Sequence, residues 1–309
     1  MTGKLNILAT GLKFPEGPVA HGDGSVSFVE IQRGTISRVT PDGAVEVVAT
    51  PGGGPNGLAT GPDGAFYLCN NGGFLFQDLG GFNHTRRGLP PDYTNGRIER
   101  IDPKTGALKR LYDRCGSNML CGPNDLVLDG HGGVYFTDLG KNRPRGRDHG
   151  GVYYARLDGS KIVEIAYPMI TPNGIGLSPD GSTVYVAETE TARLWAFDLE
   201  GPGQVRRLPY PSPNGGRLVC GLPGYQRFDS LAVAASGNIC VATLVTGCIT
   251  IIAPEGEVLR QVMTGDPMTT NICFGGAAMT TAYITLSGTG RLASLDWPEP
   301  GLKLAGSEF

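Results

Sequence analysis

Two ten-residue blocks, PNGLATGPDG from Pro55 and PNGIGLSPDG from Pro172, are nearly identical although more than a hundred positions separate them. Looser copies follow the same plan: PEGPVAHGDG from Pro15, PNDLVLDGHG from Pro123, FDSLAVAASG from Phe228 and, weakest, TNICFGGAAM from Thr270. A chain that repeats one motif this often has few folds open to it. Each repeat must be one structural unit that buries its apolar face against its neighbours.

The unit itself is legible in the first copy. PVAHG, SVSFVEI, TISRV and AVEVVAT alternate as strands do, and the turns GDG, QRG and TPDG separate them. The second and third copies carry the same four segments with insertions, and the fourth runs on to QVRRLPY, ending at Tyr210. Four strands per repeat at a period of about forty to fifty residues is the pattern of a β-propeller. Six copies predict an all-β fold, a six-bladed β-propeller around a central channel. A two-sheet sandwich has no need of six matching registers. The first strand of each blade is expected to line the channel and the fourth to face solvent. NILATG near the start resembles the fourth strand VEVVAT, so it is expected to complete the last blade and close the ring. Residues 1–305 read as a single domain, and GSEF at 306–309 as a possible cloning remnant, since two adjacent common cloning sites encode it.

Composition agrees and narrows the partners. Forty-nine glycines and twenty-three prolines among 309 residues, with 40% hydrophobic residues, supply many turns between short strands. The glycines follow no triplet period, which excludes collagen. A net charge of −3 shows no basic face for nucleic acid or anionic lipid. MTGKLNILATG lacks the apolar run of a signal peptide and no segment has the length of a membrane span, so a cytoplasmic location is expected. The seven cysteines form no CxxC pair and read as free thiols of a reducing compartment, although Cys115/Cys121 and Cys240/Cys248 are potential neighbours.

The repeat register aims six residues at one axis: Glu16, Asn56, Asn124, Asn173, Asp229 and Asn271 share the slot just before the innermost strand. Asparagine in such a slot often only satisfies turn backbone, which explains Asn56 and Asn271 well. It explains Glu16 and Asp229 poorly. Two carboxylates converging in a narrow channel repel unless a cation sits between them. An oxygen-only set of carboxylates and amides suits a hard divalent ion such as calcium or magnesium. Asn124, Asn56 and Asn271 are further candidates for contact with a substrate.

Three long segments are expected to rise on the end that carries this ring. Residues 70–95 and 139–150 follow second strands, and 209–228 precedes a first strand. Loops gathered on one face build pockets. Phe74, Phe76, Phe82 and Tyr93 are candidate walls, and Lys141, Arg143, Arg145 and Arg147 form either a solvated loop or an attractant for an anionic substrate. Other chemistries are poorly supplied: GxSxG and HExxH motifs are both missing. Of the four histidines, His21 and His131 fall in turns at the opposite end, and His149 lies in an insertion.

PEGP, PNDLVLDGHGGVYFTD, PNGIGLSPDGSTVYVAET and FDSLAVAASGNICVAT together resemble the senescence-marker-protein/gluconolactonase family, which includes regucalcin and bacterial sugar lactonases. The resemblance covers essentially the whole chain. It implies a six-bladed propeller with one divalent metal in the channel, calcium first, with magnesium, manganese, zinc or iron(II) as alternatives. It further implies that Glu16, Asn173 and Asp229 are metal ligands and that Asp229 is also the general base. Asn124 matches an asparagine that contacts substrate in the sugar lactonases and ligates calcium in a related phosphotriesterase. One departure stands out. Gly122 occupies the place of an arginine that helps hold substrate hydroxyls in the sugar lactonases. The expected activity is a metal-dependent hydrolase of lactones, with a related esterase or phosphotriesterase, or a non-catalytic calcium-binding propeller, as alternatives.

Overall fold

Short alternating segments cut by glycine- and proline-rich turns leave no room for a long helix. The computed structural model, described here for residues 4–308, has strands as its only regular elements among those residues. Six antiparallel sheets follow one another around an axis, and two small hairpins stand outside them. This is the six-bladed β-propeller that the repeats predict.

The innermost strands are Pro15–Ala20, Pro55–Thr60, Pro123–Leu128, Pro172–Leu177, Arg227–Val233 and Thr269–Gly275, and nearly every residue in them is buried. The outermost strands, such as Val45–Ala49 and Val258–Met263, are largely exposed. Asn6–Ala9 pairs antiparallel with Arg291–Asp296, Asn6 opposite Ser294, and closes the ring as expected.

The apolar core is six wedges, one between each pair of neighbouring blades. Strand periodicity explains how one strand serves two of them. In Gly133–Asp138, Tyr135 points into the wedge shared with the fourth blade, while Val134 and Phe136 point into the wedge shared with the second. Middle strands are therefore apolar on both faces, and polar alternation survives only at the rim of each blade.

At the slot, all six inner strands break their regular pairing. The register shifts fall at Glu16/Val19, Pro55/Leu58, Pro123/Leu126, Pro172/Ile175, Phe228/Leu231 and Thr269/Asn271. A bulge re-aims a side chain that a regular strand would turn into the sheet packing. The glycine after the slot has a steric cause as well. A Cβ on Gly17 would lie 2.4 Å from the Asn56 carbonyl oxygen, and one on Gly174 would lie 2.6 Å from that of Asp229. At these two slots the neighbouring strand can approach only because this residue has no side chain.

The fourth blade departs from the sequence reading. Its outer strand is Arg217–Gly221, paired with Arg193–Gly201, and only the two-residue strand Gln204–Val205 forms within QVRRLPY. The loop 206–216 therefore joins a third strand to a fourth and lies at the end away from the slot ring. Only the stretch from Leu222 to Gln226 rises beside the ring. The strand was misplaced because Pro209, Pro211 and Pro213 break the run that QVRRLPY begins.

At that opposite end, the carboxyl-terminal segment crosses the channel. Glu308 places Oε1 3.2 Å from His21 Nδ1, and its Oε2 accepts the Gly22 N–H at 2.9 Å. Of the four residues read as a cloning remnant, Phe309 lies outside the described residues.

Candidate functional site

The bulged slots converge at one mouth of the channel, where Glu16, Asn56, Asn124, Asn173 and Asp229 line a single cavity. All five are buried. Glu16 Oε2 accepts the Gly17 N–H at 3.0 Å and the Asn271 amide at 2.9 Å. Asn173 donates its amide to Thr189 Oγ1 at 3.1 Å, and its Oδ1 is 3.4 Å from Ser230 Oγ. Asn124 Oδ1 is buried and has no hydrogen-bond partner.

Asn271, expected beside substrate, lies elsewhere. It lines the channel below the cavity, gives its amide to Glu16, and takes the Ile272 N–H on Oδ1 at 2.7 Å. Its place is behind Glu16, holding that carboxylate's orientation.

Electrostatics mark the same spot. Burial pushes the Glu16 carboxyl up to about 7, against the pull of its hydrogen bonds from Asn271 and Gly17. Burial and then the Glu16 charge hold the Asp229 carboxyl well above the usual range, more than Asn173 and Arg227 offset. A third carboxyl, Asp125, stands just below, raised to about 7 by burial and by Glu16. Sequence reasoning missed it, although a signal existed: Asp125 sits where Gly17, Gly57 and Gly174 stand in other copies. Crowded carboxyls of this kind take up protons unless a cation neutralises them.

The donor set fits such a cation. Two carboxylates and two amide oxygens, that of Asn124 an orphaned acceptor, are oxygen ligands only, as calcium and magnesium prefer. Among the described residues no group of three or more His, Cys, Asp or Glu is arranged to hold a metal ion, so the amides are necessary to the set.

Insertions roof the cavity. Residues 70–95 build a hairpin, Leu75–Asp78 with Asn83–Arg86. It reaches across to the sixth blade, where Asn83 donates its N–H to the Gly288 carbonyl at 2.7 Å and a Cβ on Gly288 would strike Phe82 at 2.2 Å. Of the four aromatics expected as walls, only Phe74 faces the cavity. Phe76 packs on Phe14 with ring centroids 5.2 Å apart, and Tyr93 donates its hydroxyl to the Cys121 carbonyl at 2.8 Å. His84, which the sequence reading passed over, lines the cavity with a buried, unpartnered Nδ1, whereas His149 packs near Tyr167.

The basic run of the 139–150 loop divides. Arg143 is closed off by Asp148, Nη2 to Oδ2 at 2.8 Å. Lys141 turns inward and donates to the Gly73 carbonyl at 2.7 Å, beneath the rings of Phe74 and Tyr93. Burial pushes its ammonium down to about 7. Its Cε would lie 3.6 Å from a Cβ on Gly122, and the Gly140 carbonyl oxygen would lie 2.6 Å from it. The stem of Lys141 thus fills space beside a position that admits no side chain.

Taken with this geometry, a family match settles kinship. The family model of the SMP-30/Gluconolactonase/LRE-like region matches residues 14–288. The chain belongs to this family. The gluconolactonase of Zymomonas mobilis is 26% identical over 305 residues, covering 89% of this chain and 77% of that protein. Lactonase drp35 of Staphylococcus saprophyticus is 27% identical over 264 residues, covering 84% and 72%. The calcium-binding protein regucalcin of Agrobacterium tumefaciens superposes with a TM-score of 0.72 over 98% of both chains at 18% identity, a likeness of fold. None of the seven cysteines is bridged, and no helix among the described residues is long and apolar enough to cross a membrane.

Proposed function

We propose that this family member is a metal-dependent lactonase. The observation that carries the reading is the convergence of two buried, proton-hungry carboxyls and an unpartnered amide oxygen on the floor of a roofed cavity. The lactonase names of the Zymomonas and Staphylococcus relatives support it. Glu16, Asn173 and Asp229, with Asn124, are the residues that would hold one divalent ion, calcium being the first candidate from the oxygen donors. Bound there, such an ion supplies Lewis-acid polarisation of the ester carbonyl.

The remaining roles belong to side chains. Asp229 accepts a proton from the attacking water at a carboxylate oxygen and returns it to the leaving alkoxide as the ring opens. Asn271 and the Gly17 N–H favour the ionised form of Glu16 and orient it. Asn56, on the wall of the same cavity, would position the lactone ring. The hairpin over the mouth limits bulk water around the reacting ester.

Gly122 shapes specificity. Without the arginine of the sugar lactonases, and with the Lys141 ammonium spent on Gly73, fewer donors meet ring hydroxyls. Each such bond is worth about 0.5–1.5 kcal/mol net, so two lost bonds reduce discrimination about tenfold or more. Steady-state hydrolysis of gluconolactone and of an unsubstituted six-membered lactone, with and without chelator, tests both points. Chelator-sensitive turnover of lactones is expected, with a weaker preference for the sugar lactone once intrinsic hydrolysis is corrected for. Metal binding without turnover of any lactone would replace catalysis by a binding role.

A further inference from the structure

Two arginines stand over the candidate centre with one carboxylate between them. Arg147, from the 139–150 loop, and Arg227, at the start of the fifth inner strand, both reach Oε1 of Glu190, the former from 3.0 Å. All three line the cavity whose floor holds Glu16 and Asp229. Glu190 can neutralise only one of them. The Nε of Arg227 is buried and bonds to nothing. Arg86 of the hairpin lines the same cavity, on the side contributed by the roof.

One positive charge and one buried N–H donor are thus left over in the mouth. The floor carboxylates do not answer them if, as the reading above requires, they serve a cation. A guanidinium offers a flat fork of donors whose complement is an oxyanion of a carboxylate, sulfonate or phosphate. Gly122 points the same way, because recognition by ring hydroxyls has been given up at that position. Resting on the lactonase reading, we propose that the mouth selects lactones bearing an anionic substituent away from the scissile ester. Arg147 is the specificity-determining residue and Arg227 the second donor.

Matched substrates that differ only at one carbon test this in the metal-supplemented protein: glucono-1,5-lactone, its 6-phosphate and its 6-deoxy-6-sulfo counterpart. A kcat/KM about tenfold or more higher for the charged lactones is expected, and the preference shrinks as salt rises. Arg147→Gln removes most of that preference and Arg147→Lys retains part of it. The order of phosphate and sulfonate identifies the anion favoured. Equal kcat/KM for charged and neutral lactones, or an Arg147→Gln variant that lowers all three alike, overturns the inference and leaves the lactonase reading intact. If no lactone turns over, that reading falls, and calorimetry with 6-phosphogluconate and gluconate still decides the arginines. Tighter binding of the phosphate that is lost in Arg147→Gln supports them, and equal binding of the two refutes them.

Discussion

The two ends of the channel are made by the same six strands and have opposite chemistry. At one end the bulged slots present carboxylates and amides to a roofed cavity. At the other the same strands present Leu58, Val127, Leu177, Val233 and Phe274, and residues 304–308 lie across the opening. Propeller geometry brings six copies of every position to one axis, so the identity of a single slot fixes the chemistry of a whole end. Polar slots cost folding energy that apolar ones contribute, and they persist here only at the end where insertions enclose a cavity.

The sharpest way to test this asymmetry is at Asp229. Asp229→Asn is expected to keep the fold and some metal binding, since an amide oxygen still faces the cavity. It should lose about two to four orders of magnitude in kcat for lack of a proton acceptor. Lactone hydrolysis near the wild-type rate would make Asp229 a ligand only and place the base elsewhere.

A smaller but structural blow falls one blade away. Gly174→Ala pushes a methyl group against the Asp229 carbonyl and the Leu231 amide, 2.6 and 2.7 Å from its Cβ. Backbone cannot yield as a flexible side chain does, so about 1–3 kcal/mol of stability should go, with weakened metal affinity alongside. Gly181→Ala, in a turn with nothing within 4 Å, serves as the control because its methyl meets no neighbour. It bears only the strain of its positive φ. Equal metal affinity in the two variants would separate slot spacing from metal binding.

Acid should distinguish the ends next. The Glu16 carboxyl rises from 4.5 unfolded to about 7 folded in the metal-free protein. A carboxyl raised in this way contributes stability that is complete below 4.5 and is lost as pH rises through about 7. Metal-free Tm is therefore expected to fall across that window, and added calcium to restore more at the alkaline side. Calcium affinity measured by calorimetry should drop below about pH 7, by up to about tenfold per pH unit for each proton displaced. A pH-independent affinity would move the metal away from Glu16.

The smallest effect belongs to the other end. Glu308→Gln weakens the contact with His21 and Gly22, where Glu308 is half exposed, so less than about 1 kcal/mol is at stake. Tm should shift slightly and kcat/KM not at all. A change in turnover would show that the two ends communicate.

Much of this was legible in the repeat alone. Blade number, the closing strand and the slot residues follow from period and register, because a ring leaves equivalent positions no freedom to diverge. Asn271 shows where register stops: it shares the slot but turns its amide to Glu16, a choice made by a neighbouring side chain. Asp125 was missed because it stands at a position read as part of a glycine turn. His84 and the inward turn of Lys141 were invisible for a different reason. They come from loops that carry no repeat, and only the folded roof brings them over the floor. The fourth blade's outer strand was lost to three prolines that interrupt its approach.

Closure by Asn6–Ala9 has a consequence for how the molecule is made. The strand that seals the ring is synthesised before all the other strands described, and its partner Arg291–Asp296 after them, 288 positions later along the chain for Asn6 and Ser294. Until the last repeat is finished, a nascent chain carries an open blade edge that can pair with any other strand it meets. Joining the two is also the longest-range contact in the fold and so the slowest to find. The ring therefore acts as a check on completeness: a chain broken off before residue 291 would keep five good blades and leave Asn6–Ala9 with no strand to pair with.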